Sequence, residues 1–268
     1  MNRRLSVFVL LLLAASATAA QNPVRVVAAG DIACDPASPA FNGGAGTATE
    51  CRMRATSDLA LALAPDAVLT LGDNQYSDGA LAKYNASFDP SWGRLRLVAP
   101  IHPVPGNHEY LTAGAAGYFA YFGAAAADPA TGWYSFDLPG WHLIALNGNC
   151  GSVGGCGAGS PQLQWLEADL AAHPDVCTLA YWHQPRFSSG PHGNDATYQP
   201  FWEALLAAGA DLVLNGHDHV YERFAPQDAS GGATPDGLRQ LTVGTGGQNL
   251  TSFQAVPANN SAAAKSMG

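Results

Sequence analysis

The 268-residue chain carries 12 lysine and arginine residues against 21 aspartate and glutamate residues, which gives a formal net charge of −9. With 47% hydrophobic and only 12% charged residues, the composition excludes an intrinsically disordered chain and provides for a sizeable buried core. The acidic balance and the lack of a basic run argue against general binding to a nucleic-acid backbone. We therefore expect a folded domain that does not bind nucleic acid.

The first 20 residues have the pattern of an export signal. Arg3 and Arg4 precede an apolar stretch at 5–15, and the small residues 17–19 supply a cleavage site. After residue 20, no stretch is long and apolar enough to span a bilayer, so no stable membrane association is expected. The sequence thus predicts a signal peptide over 1–20 and a secreted or periplasmic protein.

Apolar runs of strand length recur along the rest of the chain and alternate with runs of helical spacing. The predicted strands cover 24–29, 67–71, 101–105, 178–182, 212–214 and 241–247. The predicted helices cover 52–63, a segment that begins at Ser160 with Pro161 in its first turn, and 199–208. Residues 133–137 and 141–146 indicate a β-hairpin that turns at Pro139 and Gly140. This alternation is typical of an α/β domain built from βαβ units around a mixed sheet.

The five cysteines of an exported chain favour disulfides over structural zinc. Cys34 and Cys51 bracket a loop rich in glycine, alanine and threonine, and Cys150 and Cys156 bracket a short glycine-rich loop. We expect each pair to close its own loop. Cys177 begins an apolar run, so we expect it to be a buried free thiol.

Short polar motifs, most of them containing glycine, follow five of the predicted strands. In open α/β folds, ligands gather where the carboxyl ends of strands meet, so these motifs are expected to converge in one crevice. His217 and His219, on either side of a bend, can reach two metal ions. Each motif alone is typical of a turn, but their joint occurrence predicts a metal site.

On these motifs the chain resembles the calcineurin-like metallophosphoesterases and, within them, the purple acid phosphatase branch. The five blocks of that branch are Gly-Asp-x-Gly, Gly-Asp-x-x-Tyr, Gly-Asn-His-Glu/Asp, Val-x-x-His and Gly-His-x-His. The corresponding segments here are 30–33, 72–76, 106–109, 180–183 and 216–219. Ala33 and Ala180 replace the glycine and valine of two blocks at positions that supply no ligand. The resemblance covers 24 to about 250 and implies an α/β/β/α sandwich with mixed sheets.

The resemblance also implies two metal ions held by seven side chains. The first ion would be bound by Asp31, Tyr76 and His219, the second by Asn107, His183 and His217, and Asp73 would bridge both. Because position 33 is alanine, the first site lacks the imidazole that many relatives supply there, and the Tyr76 phenolate fills the gap. A phenolate favours Fe³⁺, with Fe²⁺, Zn²⁺ or Mn²⁺ as the second ion, while two divalent ions are the alternative.

The activity implied by the resemblance is that of an acid phosphatase, in which a metal-bound hydroxide hydrolyses a phosphate monoester of a small substrate. His108 would be the general acid, and His192 would be a second outer-sphere histidine. Two alternatives stay open: a phosphodiesterase of cyclic nucleotides or glycerophosphodiesters, and a non-catalytic protein that binds metal or phosphate. The oligomeric state is not constrained.

Several neighbours of these motifs have structural interpretations. Glu109 and Asp218 are expected to position other groups rather than bind metal. His102 and His142 lie in strand-like segments and are expected to be core or surface histidines. His173 lies at a predicted helix end, where a cation suits the helix dipole.

The domain prediction is a catalytic domain over 21–250 and a low-complexity tail over 251–268, rich in alanine, asparagine and serine. Related phosphoesterases usually continue with further strands that close one sheet. We therefore expect either a truncated chain, which would lack its C-terminal strands, or a minimal version whose last strand ends at Gly247.

Overall fold

The computed structural model describes residues 23–174 and 176–254. The predicted signal peptide at 1–20 and most of the predicted tail lie outside the described residues. The strands are Val26–Ala29 (β1), Ala67–Leu71 (β2), Ile101–Val104 (β3), Tyr134–Leu138 (β4), Trp141–Ala145 (β5), Cys177–Tyr181 (β6), Leu212–Asn215 (β7), Tyr221–Arg223 (β8) and Arg239–Val243 (β9). The α-helices are Met53–Ala62 (α1), Leu81–Lys83 (α2), Ala116–Phe122 (α3), Pro161–Ala172 (α4) and Gln199–Ala207 (α5).

These strands form two sheets. The smaller sheet has the order β1-β2-β3 and is entirely parallel, with Val68 opposite Ile101 in the β2–β3 pair. The larger sheet has the order β4-β5-β6-β7-β9-β8. Its inner pairs are parallel, whereas the outer pairs β4–β5 and β8–β9 are antiparallel. The predicted hairpin is therefore the β4–β5 pair, and it forms one edge of a mixed sheet.

Three layers of apolar packing follow from the alternation of side chains along each strand. Between the sheets lies a cluster that includes Leu69, Leu71, Val104, Leu143 and Tyr181. The outer face of the smaller sheet packs against residues of α1 and α3, and the outer face of the larger sheet packs against residues of α4 and α5. The molecule is thus the α/β/β/α sandwich that the family resemblance implies.

Local sequence signals explain where α4 begins. Pro161 is its first residue, where a missing N–H is tolerated. The Ser160 side chain accepts a hydrogen bond from the backbone N–H of Leu163 at 3.3 Å and caps the first turn. The helix then buries Leu163, Leu166 and Leu170 against the larger sheet.

The structure contains the disulfides Cys34–Cys51 and Cys150–Cys156. Cys177 is free, as expected, but it is exposed rather than buried, so that part of the prediction was wrong. Cys177 is the first residue of β6, and only the four residues after it are covered by neighbouring layers. Within the described ranges, none of the helices has the length and hydrophobicity that crossing a membrane requires.

Candidate metal centre

The loops that follow β1, β2, β6 and β7 are joined by backbone contacts at one edge of the sandwich. The N–H of Asp31 donates to the carbonyl of Gly72 at 3.0 Å, and the N–H of Gly216 donates to the carbonyl of His183 at 2.9 Å. The N–H of His217 then donates to Oδ2 of Asp31 at 2.8 Å, which links the larger sheet to the smaller one. These loops therefore meet at one edge of the sandwich.

The first group of predicted ligands surrounds the hydroxyl of Tyr76. Its Oη lies 2.9 Å from Asp31 Oδ1, 3.0 Å from Asp73 Oδ2 and 3.0 Å from His219 Nε2. A phenol carries one proton, so it can donate to only one of these three neighbours. The electron-pair donors of this group therefore outnumber the protons that they could share. A cation bound among them would satisfy the remaining lone pairs.

The second group shares Asp73 with the first. His183 Nε2 lies 3.1 Å from Asp73 Oδ2 and 3.3 Å from His217 Nδ1. One ligand atom from each of these three residues lies within 4.8 Å of the others. Asp73 Oδ2 contacts both Tyr76 and His183, so the two groups share this carboxylate oxygen.

Asn107 lies beside this second group. Its neighbour His108 donates its backbone N–H to Asp73 Oδ1 at 2.8 Å. The side-chain Oδ1 of Asn107 is buried, and within the described part of the chain no donor satisfies it. A buried amide oxygen without a partner is unfavourable, and a cation would relieve it. The residues present therefore fit two metal ions.

Backbone carbonyls fix the imidazoles of two predicted ligands. His183 Nδ1 lies 2.8 Å from the carbonyl of Leu71, and His219 Nδ1 lies 2.7 Å from the carbonyl of Asn249. A carbonyl can only accept, so Nδ1 carries the proton in both rings. When either ring is neutral, its Nε2 lone pair is directed at the carboxylates, as metal-binding histidines require.

Protonation in the absence of metal follows from the same contacts. Burial raises the pKa of Asp73, but the charges of His183 and His108 and the hydrogen bonds that both residues make to it together outweigh burial and hold the pKa of that carboxyl well below its usual range. Burial lowers the pKa of His183, but Asp73 outweighs it and raises that pKa to about 9. A proton on His183 thus occupies the place that a cation would take, since both neutralise Asp73.

The pKa values of two other predicted ligands are shifted so that their neutral forms are favoured, unlike those of Asp73 and His183. Burial, followed by the charges of Asp31 and Asp73, raises the pKa of Tyr76 well above its usual value. Burial, followed by the charges of His183 and His192, lowers the pKa of His217 to about 4. His217 therefore offers a neutral imidazole at ordinary pH, whereas Tyr76 ionises only beside a strong positive charge.

The backbone at the site is held in an unusual conformation. Asp31, Asp73 and His217 have φ values of 59°, 45° and 71° in the left-handed region, which costs non-glycine residues roughly 1–2 kcal/mol each. Two glycines allow the close approach. A Cβ on Gly72 would lie 2.6 Å from His183 Nδ1, and a Cβ on Gly106 would collide with the Asp73 carboxylate. The chain thus accepts local strain to bring its carboxylates and imidazoles together.

The two predicted outer-sphere histidines lie at the rim. His108 is 30% exposed, and its Nδ1 lies 2.6 Å from the carbonyl of Ser77, which leaves Nε2 at 3.9 Å from Asp73 Oδ2. His192 is 56% exposed, and its ring centroid lies 4.0 Å from that of His217. In both rings the hydrogen-bond partner is at Nδ1 rather than at Nε2.

Glu109 has the positioning contacts expected of it. It is fully buried; its Oε2 accepts from the N–H of Gly106 at 2.6 Å, and its Oε1 accepts from the hydroxyl of Tyr84 at 3.0 Å. Burial, followed by the charge of Asp73, raises its pKa to about 7. Glu109 therefore holds the turn that carries Asn107.

Sequence reasoning missed the network around Lys83. Its Nζ donates to Asp35 Oδ2 at 2.8 Å, to Asp78 Oδ2 at 2.9 Å and to Ser77 Oγ at 3.1 Å. These contacts fix the loop whose Ser77 carbonyl holds His108. No spacing signal could reveal them, because Asp35 and Lys83 are 48 residues apart.

Comparisons with known proteins agree with this geometry. Residues 24–221 match the model of the family described as calcineurin-like phosphoesterase. The chain is 29% identical over 194 residues to purple acid phosphatase 15 of Arabidopsis thaliana, a match that covers 59% of this chain and 36% of that protein. It is also 29% identical over 231 residues to human acid phosphatase type 7, covering 72% of this chain and 51% of that protein. The chain thus spans between a third and about half of the length of these relatives.

Among solved structures, the purple acid phosphatase PPD1 from yellow lupin (Lupinus luteus) seeds superposes with a TM-score of 0.68 at 20% identity. The superposition covers 91% of this chain and 47% of that one. At this identity the likeness establishes the fold, which is that of the metallophosphoesterases.

Proposed function

The chain belongs to the calcineurin-like phosphoesterase family, and from that premise we propose that it is a two-metal phosphatase that hydrolyses phosphate monoesters. One observation supports the proposal above all others. Tyr76 Oη has Asp31 Oδ1, Asp73 Oδ2 and His219 Nε2 all within 3.0 Å, and Asp73 also contacts His183. Such a set of donors, joined by one shared carboxylate, suits two cations side by side.

The donor types favour different ions in the two positions. Asp31, Tyr76 and the shared Asp73 offer hard oxygen atoms, which suit Fe³⁺. Two imidazoles and an amide oxygen, from His183, His217 and Asn107, suit a divalent ion such as Fe²⁺, Zn²⁺ or Mn²⁺. A phenolate bound to Fe³⁺ would give the protein a visible colour, whereas a pair of divalent ions would leave it colourless.

The side chains at the rim complete the proposed reaction. Two bound ions would polarise the phosphoryl oxygens and acidify water. The chain's own contribution is to place proton donors. His108 is held through Nδ1 by the Ser77 carbonyl, so its Nε2 can give a proton to the leaving alkoxide. His192 is held in the same way by Asp218, and its Nε2 can bind a phosphoryl oxygen.

A direct test combines metal content, colour and substrate preference. Purified protein is expected to hold iron and a second metal, to absorb visible light, and to hydrolyse p-nitrophenyl phosphate faster than bis(p-nitrophenyl) phosphate. Tyr76→Phe should abolish the colour, and Asp73→Asn should remove both metals and the activity. Asp236→Asn, which makes the same change at an exposed loop position, is the matched control.

Each component of the proposal has its own contrary result. Full activity in metal-free protein would overturn the two-metal site. Two divalent ions without colour would reject the iron assignment alone. Preference for the bis ester would make the protein a phosphodiesterase, and bound metal without turnover of either ester would make it a binding protein.

We also propose that the protein is exported, on the pattern of Arg3, Arg4 and the apolar stretch 5–15. Two disulfides fit an oxidising compartment. Amino-terminal sequencing of protein recovered outside the cytoplasm should find a start near residue 21. Recovery of the whole chain, with residues 1–20 attached, from the cytoplasm would contradict export.

A further inference from the structure

A second group of histidines and carboxylates lies on the outer face of the larger sheet. Asp137 of β4 and His142 of β5 are directly opposite each other in the hairpin, and Asp169 belongs to α4. His142 also pairs with Thr178 at the beginning of β6, whereas His183 follows the end of that strand. Five residues of strand separate the two positions by about 17 Å, so this group is not part of the metal centre.

His142 has a carboxylate at each ring nitrogen. Its Nδ1 lies 2.7 Å from Asp137 Oδ1, and its Nε2 lies 2.8 Å from Asp169 Oδ2. The ring is only 2% exposed, and Asp169 is 11% exposed. Ser135 Oγ donates to the second oxygen of Asp169 at 2.8 Å, which fixes that carboxylate. The ring is therefore held rigidly, with Nδ1 facing the exposed Asp137.

His173 packs against this arrangement from the end of α4. Its ring stacks on that of His142, with centroids 3.7 Å apart and planes at 15°. Its Nδ1 lies 2.8 Å from the carbonyl of Asp169, which leaves Nε2 as the nitrogen without this contact. One ligand atom from each of Asp137, His142 and His173 lies within 4.8 Å of the other two.

We propose that Asp137, His142 and His173 form a zinc site, with Asp169 as the carboxylate that orients His142. Two imidazole nitrogens and one carboxylate oxygen are common zinc ligands, and histidine ligands usually donate their other N–H to a carboxylate. The Asp169–His142 contact has that form. Since the Asp137 side chain is 70% exposed, water can supply a fourth ligand.

Zinc binding requires one local movement. Two parallel stacked rings cannot both direct a lone pair at one ion, so His173 must turn out of the stack. Its side chain is 34% exposed and follows the last residue of α4, so the turn breaks the ring stack and the contact of Nδ1 with the Asp169 carbonyl but displaces no helical residue. The ion takes the place of the proton between His142 Nδ1 and Asp137. It thereby ties the β4–β5 hairpin to the end of α4, and zinc should raise the unfolding temperature.

The test uses protein whose metal centre is already loaded, dialysed against micromolar zinc chloride. Bound zinc is counted by elemental analysis, and the unfolding temperature is measured with and without zinc. We expect His173→Ala and Asp137→Asn each to bind one zinc fewer per chain than the unaltered protein and to lose the zinc-dependent rise in unfolding temperature. The content of the metal centre and the phosphatase rate should stay unchanged. Glu167→Gln, an exposed change on α4, is the control and should bind zinc normally.

Equal zinc content and an equal zinc-dependent rise in all four proteins would overturn the proposal. Both diagnostic positions are partly or largely exposed, so the variants should fold, and circular dichroism verifies this. The measurements count ions and follow unfolding, so they remain decisive even if the protein proves inactive towards phosphate esters.

Discussion

The fully buried carboxylate of Asp218 lies 2.7 Å from Nδ1 of His192, a side chain that is 56% exposed. Asp218 stands between two predicted ligands in the chain, yet its side chain is directed at the rim. It also accepts hydrogen bonds from the backbone N–H of His192 and from Ser188 Oγ. A buried acid thus fixes the ring of a surface histidine through Nδ1.

From this contact we predict that Asp218→Asn lowers the rate of monoester hydrolysis about 10- to 100-fold, a range typical for loss of an orienting partner. An amide cannot hold the ring with the same strength or select its tautomer. The measurement is kcat and KM for Asp218→Asn, His192→Ala and the double variant. If the two residues act as one unit, the double variant is no slower than His192→Ala. Losses that multiply would show that they act separately.

Lys83 provides a second prediction. Lys83→Met removes the cation that joins Asp35, Asp78 and Ser77, so the Ser77 carbonyl no longer holds His108 in place. We expect kcat to fall about tenfold with little change in KM, because proton donation by a positioned group contributes roughly 10²–10⁴-fold and is only partly lost. Arg96→Met is the control, since it breaks a surface pair with Asp89. Metal content should be normal in both variants, and a loss of metal in Lys83→Met would argue against positioning of His108.

The glycines at the centre can be tested with a matched pair. Gly72 and Gly140 have similar φ values of 87° and 81°, but a Cβ on Gly140 would meet nothing within 4 Å. Both alanine variants should lose roughly 1–2 kcal/mol of unfolding free energy through backbone strain. Only Gly72→Ala should also lose bound metal, because its Cβ would lie 2.6 Å from His183 Nδ1. Normal metal content in Gly72→Ala would show that the His183 ring is not held as tightly as the contact indicates.

The His142 group predicts a pH dependence of stability in metal-free protein. Burial lowers the pKa of His142, but its hydrogen bonds to Asp169 and Asp137, together with the charges of these carboxylates, outweigh burial and raise the pKa above its usual value of 6.5. Its contribution to stability is therefore fully present below pH 6.5 and is lost as the pH rises through the folded-state pKa. This contribution is measured as the difference in unfolding free energy between the unaltered protein and His142→Gln. Urea unfolding of both proteins from about pH 5 to about pH 9 covers the range in which histidine titrates.

His102 offers the opposite sign as an internal comparison. Burial lowers its pKa to about 4, so its neutral ring stabilises the fold above pH 6.5, and this stability is lost as the pH falls towards 4. The His142→Gln difference should therefore shrink above pH 6.5, whereas a His102→Gln difference should shrink below it. A His142→Gln difference that is constant with pH would contradict the charged pair.

Most of the strands could be predicted because buried strands leave a continuous apolar run, although the last strand spans Arg239–Val243 rather than the predicted 241–247. Ala67–Leu71 has the predicted bounds, and Pro161 and Ser160 mark the beginning of α4 as expected. The helix α3, Ala116–Phe122, was missed because its glycine and four aromatic residues give no clear helical signal. Cys177 was wrongly predicted to be buried, because the apolar pattern of a strand does not show how far the neighbouring layers cover that strand.

For the site, polar motifs at strand ends, most of them containing glycine, and the family resemblance that they carry led to all seven side chains that the structure brings together. Their roles as ligands remain predictions. The supporting groups were largely beyond reach, since a backbone carbonyl such as that of Leu71 or Asn249 has no signature in the sequence. Likewise, only the fold reveals that the β4–β5 hairpin packs against α4, which is what brings together Asp137, His142 and Asp169.

The hydrogen bond from the His217 N–H to Asp31 Oδ2 joins loops that belong to different sheets. Every predicted ligand of the first ion except His219 comes from the smaller sheet's side, whereas His183 and His217 come from the larger one. Sliding one sheet over the other by a single ångström would separate these atoms while both sheets stayed intact. Loss of bound metal should then precede any melting of the strands on heating, so the ions report the alignment of the two halves of the sandwich.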